Sequence, residues 1–397
     1  MPTPTDTVPL WLDDGAYAPR PPLAEDLRAD VCVVGGGVAG LACARRLATH
    51  GLRAVVLEAR TVAGGASGRN GGFLLAGAAA FHVDARERFG RDAARSLYAR
   101  TLRAQDEVYA LAGELGVAAA VRRTGSLRVA TSEDEAEHVR RHVAALAEDG
   151  FPGELVGPDD LPPVLRRSGL LAAHTAHDGA LQPAVWVRAL ARAAEAAGVR
   201  LFEGTPVPAP VPAPGEGPVA AAGGSVRAAH VVVAADGALP ALVPEVAGAV
   251  RARRLHMLAT APLPERVLEQ PSYLRYGHEY VQQTADGRIA AGGFSDLDAG
   301  ASWTDREAGA PAVWARVERW LRDDLGVAAP VTHRWVGVVG YASDGLPRAG
   351  DVHGRPGLHA LGGYSGTGNL VGFLAGQALA DRIALGEHDG LSVFASP

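Results

Sequence analysis

Apolar residues follow two rhythms along this 397-residue chain. Short unbroken runs, Val31–Val34, Ala54–Leu57 and 231–234, suit strands buried on both faces of one parallel sheet. Elsewhere the period lengthens. Residues 84–118 and 132–149 repeat at helical spacing with Arg and Glu along one side, which predicts two amphipathic helices with solvated faces. The stretch 122–130 between them alternates like a strand. A turn at Gly179 leads into a helix over 183–197 and a strand at 199–203, and 225–235 is a further strand. From 250 to 300 the pattern becomes antiparallel: runs at 254–261, 279–284 and 288–294 are separated by tight turns such as Ala285-Asp286-Gly287. A charged helix at 305–325 follows, and the end returns to the first style, with a strand at 358–361 and a helix at 370–385. Residues 1–24, rich in proline, read as an arm, and 206–218 as a flexible surface loop.

Between the first two apolar runs lies Gly35-Gly36-Gly37-Val38-Ala39-Gly40, followed by an Ala/Leu-rich helical stretch. Gly35 permits a tight turn, Gly37 lets a pyrophosphate approach the backbone, and Gly40 lets the helix pack closely on the sheet. The helix N-terminus offers free N–H groups to phosphates. Glu58 ends the second strand eighteen residues past Gly40, placed for a ribose hydroxyl, with Ala59 and Arg60 next to it. Strand, turn, helix, strand and acid together predict a dinucleotide site. Two further glycine-rich stretches, 64–72 and 362–369, are too dense in glycine for helix or strand, and their backbones must pass close to something flat or anionic.

Composition narrows the partners. A net charge of −6 carries no polybasic footprint, which argues against nucleic acid or an anionic membrane surface. No stretch is long and apolar enough to span a bilayer, and the N-terminus lacks a signal pattern, so the expectation is a soluble, cytoplasmic protein. Cys32 and Cys43 provide no disulfide framework, and no metal cluster is expected. There is no lysine, and the only asparagines, Asn70 and Asn369, both fall in the glycine-rich stretches, where a turn role and a cofactor contact fit equally.

Over nearly its whole length the chain resembles the FAD-dependent oxidoreductases of the glycine oxidase, D-amino acid oxidase and sarcosine oxidase superfamily, most closely the γ-glutamylputrescine oxidase branch. The residues that carry the likeness are Trp11-Leu12-Asp13, Ala29 through Ala59, Gly65-Ala66-Ser67-Gly68-Arg69-Asn70-Gly71-Gly72, Gly179-Ala180-Leu181-Gln182-Pro183 and Gly363-Tyr364-Ser365-Gly366-Thr367-Gly368. The resemblance implies an α/β plus α+β fold: a Rossmann-like FAD-binding domain with a parallel sheet, interleaved with an antiparallel-sheet substrate domain. The boundaries expected are 1–24 for the arm, 25–80, 170–248 and 331–397 for the FAD domain, and 81–169 and 249–330 for the substrate domain. It also implies non-covalent FAD. Glu58 would hold the ribose and Val207 the adenine, Ser67 to Gly72 would run past the pyrophosphate and flavin, and Ser365 to Asn369 would cap the pyrimidine side. Ala235, at the end of its strand, joins the cofactor set. The implied chemistry is hydride transfer from an amine C–H to the flavin, hydrolysis of the imine, and reoxidation by dioxygen.

Departures from the family sharpen the substrate. The arginine that binds a substrate carboxylate in glycine-oxidase-like members aligns with Val339, and the lysine used by sarcosine-oxidase-like members aligns with Leu370. With both clamps absent, an amine is expected over a simple α-amino acid, although Arg69, Arg254 or Arg275 offers a substitute. The cysteine that links flavin in sarcosine oxidases aligns with Gly337. The lysine that assists dioxygen activation has no counterpart, which leaves His256, His278 and His333 as candidates by domain. Tyr280 and Gln282, sharing a face of one strand, are the expected catalytic-pocket residues, with Tyr364 and Phe73 as aromatic walls, while Trp335 suits a packing role. Three other readings stand beside this one: a dehydrogenase using another electron acceptor, a flavin monooxygenase suggested by Ala235-Asp236-Gly237, and a non-catalytic flavoprotein.

Overall fold

The structure, a computed structural model, describes residues 8–13, 15, 17–298, 300–386 and 389–397. In chain order its elements are β1 (Asp26–Val34), α1 (Val38–Thr49), β2 (Ala54–Leu57), β3 (Phe73–Leu74), α2 (His82–Phe89), α3 (Arg91–Glu114), β4 (Val121–Arg122), β5 (Ser126–Ala130) and α4 (Glu133–Glu148). There follow β6 (Glu154–Val156), β7 (Leu171–Thr175), β8 (Gly179–Leu181), α5 (Pro183–Ala196), β9 (Arg200–Phe202), β10 (Val219–Ala221), β11 (Gly224–Val233) and α6 (Leu239–Leu242). The rest is β12 (Val250–Thr260), β13 (Ser272–Leu274), β14 (Glu279–Gln283), β15 (Ile289–Gly293), α7 (Pro311–Arg319), β16 (Val331–Ala342), β17 (Arg348–Asp351), β18 (Leu358–Gly362) and α8 (Gly368–Leu385).

Two compact units emerge, each assembled from three stretches of chain. One comprises the described residues of Asp14–Gly68, Pro183–Arg253 and Val338–Pro397, the other those of Met1–Asp13, Arg69–Gln182 and Arg254–Gly337. The first is built on a sheet of order β17-β18-β11-β1-β2-β9, in which β18, β11, β1, β2 and β9 run parallel. Its central strands are covered on both faces, which is why Val31–Val34 and Ala54–Leu57 are continuously apolar. On one face α8 lies against α1 so closely that a Cβ on Gly376 would stand 2.3 Å from the Ala39 carbonyl oxygen.

The second unit holds a sheet of order β16-β12-β15-β14-β13-β5-β7-β6. Strands β12, β15, β14 and β13 pair antiparallel in turn, and β13 joins β5 in parallel. Alternation along β14 and β15 sends Val281, Ile289 and Ala291 into a core with Trp320 and Leu321. A small sheet, β3-β8-β4, completes the unit.

Several expectations need correction. Residues 84–118 are not one helix: α2 and α3 are separated by Gly90 at φ +85°, a conformation that ends a helix. The stretch 122–130 splits at Gly125, φ +74°, into β4 and β5, which belong to different sheets. The charged helix starts only at Pro311 and closes with one π turn, Trp320–Asp324. The proline-rich segment 206–218 is no free loop, because Val211 and Ala213 are buried and Arg355 pairs with Glu216. The two compact units divide after 68, 182, 253 and 337, and β3 and β4, both in the antiparallel-sheet unit, pair with β8. In the arm, residues 1–7, 14 and 16 lie outside the described residues, and Trp11 and Leu23 are buried.

Candidate cofactor and active site

In the parallel-sheet unit, β1 breaks at Gly35, whose φ of +117° and whose distance of 2.4 Å from a notional Cβ to the Ala234 carbonyl oxygen exclude any side chain. A Cβ on Gly40 would stand 2.1 Å from the Gly35 oxygen, so α1 can approach the turn only because position 40 is glycine. At Gly37 a Cβ would meet the Ser67 hydroxyl at 2.9 Å, and that hydroxyl accepts a hydrogen bond from the Val38 N–H at 3.1 Å. No side chain caps α1 from Gly37. The Glu58 carboxylate is aimed back at the turn: Oε2 accepts from the Gly36 N–H at 2.7 Å and Oε1 from the Arg60 N–H at 2.8 Å. Burial raises its pKa, and those N–H groups oppose the rise. Ala59 and Arg60 are exposed beside it, and Val207, Ala66 and Ala235 are half-buried.

The same unit carries the second glycine loop. Gly363, Ser365 and Gly366 all have positive φ, and Thr367 precedes α8 without capping it through its side chain. Within α8, Gly372 would place a Cβ 3.4 Å from Val38, so the start of α8 at Gly368 lies one turn from residues facing the start of α1. Asn369 is buried in that first turn. Two long helices thus present their N-termini near each other, which suits a ligand with a pyrophosphate and a second electron-rich end. The glycine cradle, the paired helix ends and the acid at a strand tip fit FAD.

Asp236 was not anticipated as an anchor. Half-buried, its carboxylate accepts from the N–H groups of Gly340 at 2.9 Å and Gly363 at 3.0 Å. Burial raises its pKa to about 6 against these donors. The Ala-Asp-Gly turn therefore ties β11 to the second glycine loop, and its acid faces backbone. Its signal in the sequence was an aspartate ending an otherwise apolar strand.

In the antiparallel-sheet unit, the loop Arg69–Gly72 meets β14. The Tyr280 ring lies 3.3 Å from where a Gly71 Cβ would stand, and the Gln282 side chain donates to the carbonyls of Gly71 at 2.5 Å and Gly72 at 3.3 Å. Tyr280 also forms an aromatic group with Phe73 and Tyr273. Gln282 is 2 % exposed with its amide spent on the loop, so its position is that of a support behind Gly71 and Gly72. Asn70 Oδ1 accepts from the Gly72 N–H at 2.8 Å, the turn role. Tyr364 is buried in the parallel-sheet unit, its ring packed on Gly368 and Gly372, and its hydroxyl has no partner among the described residues.

The charged candidates are largely committed. Arg275 is held by Glu279 and Asp296 at 2.6–3.1 Å, Arg254 donates to the carbonyls of Ala308 and Ala301, and Arg69 faces the Val336 carbonyl and Glu307. His256 has no exposed surface, its Nε2 accepts from the Ala310 N–H, and burial lowers its pKa to about 4. It is neutral at physiological pH and supplies no cation. His278 and His333 face Asp296 and Asp13. Both cysteines are buried with thiol pKa values pushed up by that burial. Among the described residues no cluster of His, Cys, Asp or Glu could hold a metal, and no helix is long and apolar enough to cross a membrane.

One pH dependence follows. His359, beside Asp351 and His230, is lowered by burial to about 4, as His256 is. The unfolded chain takes up these protons near the ordinary 6.5, and the folded chain only near 4. Stability should therefore fall as pH drops from about 6.5 to about 4. Thermal unfolding followed across that range should show the fall, with a shallower one in His359→Gln; an unchanged slope in that variant would exclude His359 as a cause.

Comparison with known proteins agrees with this geometry. Residues 30–382 match the family described as FAD dependent oxidoreductase. The gamma-glutamylputrescine oxidoreductase of Escherichia coli is 29 % identical over 410 residues, covering 96 % of this chain and 89 % of that protein. Glycine oxidase from Geobacillus kaustophilus superposes with a TM-score of 0.77 at 24 % identity, covering 91 % of this chain and 96 % of its own. L-proline dehydrogenase from P. horikoshii gives 0.76 at 20 %, covering 91 % and 95 %. These two share the fold. The chain belongs to the family of FAD-dependent oxidoreductases of the amine and amino-acid oxidase type.

Proposed function

We propose that this enzyme oxidises a small amine lacking an α-carboxylate, releasing an aldehyde or ketone after hydrolysis of the imine, with dioxygen as electron acceptor. The observation that carries the reading is the fate of the clamp positions. Val339 is a half-buried apolar residue, Leu370 is buried in the first turn of α8, and Arg69, Arg254 and Arg275 are engaged elsewhere. A carboxylate desolvated without a cationic partner would cost several kcal/mol.

FAD, when bound, supplies the two-electron acceptor. The chain's own residues hold and enclose it: Gly35, Gly37, Val38, Ala39 and Gly40 with the α1 N-terminus take the pyrophosphate, aided by Ala66 and Ser67. Glu58, with Ala59 and Arg60, takes the ribose, Val207 the adenine, and Ala235 the backbone beside the turn. Gly363, Ser365, Gly366, Thr367, Gly368 and Asn369 would hold its pyrimidine edge, where the α8 dipole would favour negative charge on the reduced ring, and Arg69, Asn70, Gly71 and Gly72 are further proposed flavin contacts. Tyr280 forms an aromatic wall for the amine. Attachment is non-covalent, since position 337 is glycine and both cysteines are core residues.

A second acceptor reading has an observation in its favour: the chain has no lysine and His256 is neutral, so neither supplies a cation to assist dioxygen. Both parts are tested by reducing the bound flavin with an amine under nitrogen and then admitting air. Fast recolouring with peroxide supports an oxidase, and a reduced flavin that survives air assigns another acceptor.

A further inference from the structure

Glu203, just past β9, is a 1 % exposed carboxylate that lies outside the glycine cradle. Two segments of the parallel-sheet unit share it. From the arm, the Tyr17 hydroxyl donates to Oε1 at 2.5 Å and the Arg20 N–H to Oε2 at 2.5 Å, with the Arg20 guanidinium 3.7 Å away. From the turn that follows β2, the Val62 N–H donates to Oε1. An apolar residue at 203 would leave these donors orphaned in the interior, which is what keeps a carboxylate there.

The turn that Glu203 holds begins at Glu58. The Glu58 N–H donates to the Phe202 carbonyl at 2.8 Å, and the N–H groups of Gly204 and Thr205 donate back to the carbonyls of Arg60 at 2.7 Å and Glu58 at 2.8 Å. Residues 202–205 thus bracket 58–62. Just beyond, Ala63 sits at φ +66°, a left-handed conformation that a residue with a Cβ keeps only where its surroundings fix it. A Cβ on Gly68 would stand 2.1 Å from the Ala63 carbonyl oxygen, and the adjacent Ser67 hydroxyl accepts from the Val38 N–H at the start of α1. Contacts therefore run without a break from Glu203 through Val62 and Ala63 to the pyrophosphate turn, all within one unit. The arm is seated by further bonds: Arg188 stacks on the Tyr17 ring at 3.9 Å, Arg20 pairs with Glu195 at 2.6 Å, and the Leu23 N–H donates to the Thr205 hydroxyl at 3.0 Å.

We propose that Glu203 is a positioning residue for the adenosine and pyrophosphate end of the cofactor, and that the arm at 17–23, seated on the same carboxylate, makes cofactor retention depend on the arm. The inference rests on the reading that Glu58 takes the ribose and Ser67 the pyrophosphate. It gives the arm a task beyond covering the sheet, and it explains why a strained, non-glycine residue is tolerated at 63.

The test follows release of FAD from the holoenzyme, read as the rise in flavin fluorescence on dilution, beside the unfolding temperature. Glu203→Ala strips Val62 and the arm of their acceptor and should speed release about thirtyfold, the equivalent of one charged hydrogen bond. Glu203→Gln keeps an oxygen that Val62 can use and should bring release back to within about fivefold of wild type, and Tyr17→Phe, which deletes an arm donor, should speed it about fivefold. Val352→Ala, which trims the core of the same unit, controls for lost stability: it should lower the unfolding temperature and leave release unchanged. Glu58→Ala separates the inference from the reading beneath it. Fast release in Glu58→Ala with wild-type release in Glu203→Ala would overturn the proposal alone, and wild-type release in both would overturn the ribose assignment as well. Where Glu203→Ala fails to accumulate, wild-type release in both Glu203→Gln and Tyr17→Phe overturns the proposal.

Discussion

Gly40→Val should yield a protein that accumulates without bound flavin. The Cβ would lie 2.1 Å from the Gly35 carbonyl oxygen and 3.2 Å from Val33 Cγ1, and the first of these is backbone at a turn that Gly35 itself, at φ +117°, cannot reshape. Only a shift of α1 off the sheet relieves the clash, and α1 is also locked to α8 through the contact of Gly376 with Ala39. Overpacking of this kind costs about 3 kcal/mol or more, and a helix N-terminus displaced by that clash loses a pyrophosphate by more than a hundredfold in affinity. Absorbance near 450 nm after purification, with excess FAD added back, measures it. Stoichiometric flavin in this variant would mean that the turn does not cradle the phosphates.

Asp236→Ala should be among the most destabilising exchanges in the parallel-sheet unit. The substitution leaves the N–H groups of Gly340 and Gly363 facing a cavity. Each orphaned donor costs about 1–3 kcal/mol, so a total near 3 kcal/mol is a conservative expectation. The pH dependence identifies the cause. Because the folded pKa is raised to about 6, the folded chain holds this proton more tightly than the unfolded one, and the contribution of Asp236 to stability falls as pH rises from about 4 to about 6. The gap between wild type and Asp236→Ala should thus be wider at pH 4.5 than at pH 7.5 by denaturant unfolding. A gap that widens with pH would contradict the assignment.

What was legible in the sequence is what local sterics dictates. Gly40 is required by its close approach to Gly35 within one βαβ unit, and apolar runs at 31–34 and 54–57 can only be strands covered on both faces. The shared face of Tyr280 and Gln282 on β14 follows from a period of two. Features made by long-range contacts were not legible. Trp11, Gln282 and Trp335 converge on four adjacent carbonyls from three parts of the chain, and an indole in a sequence carries no sign of whether its N–H is used. The burial of Tyr364 against Gly368 and Gly372 in α8 was likewise not visible from its place beside a glycine loop. The helix break at Gly90 and the strand break at Gly125 were hidden by apolar periodicity that continues across them.

The central claim, an FAD enzyme for amines without an α-carboxylate, is tested most directly by anaerobic bleaching of the bound flavin with matched pairs: an amine, and the same amine bearing an α-carboxylate. The account predicts that the plain amine bleaches the 450 nm band and that its carboxylated partner does so far more slowly. Bleaching by the carboxylated partners alone would contradict it.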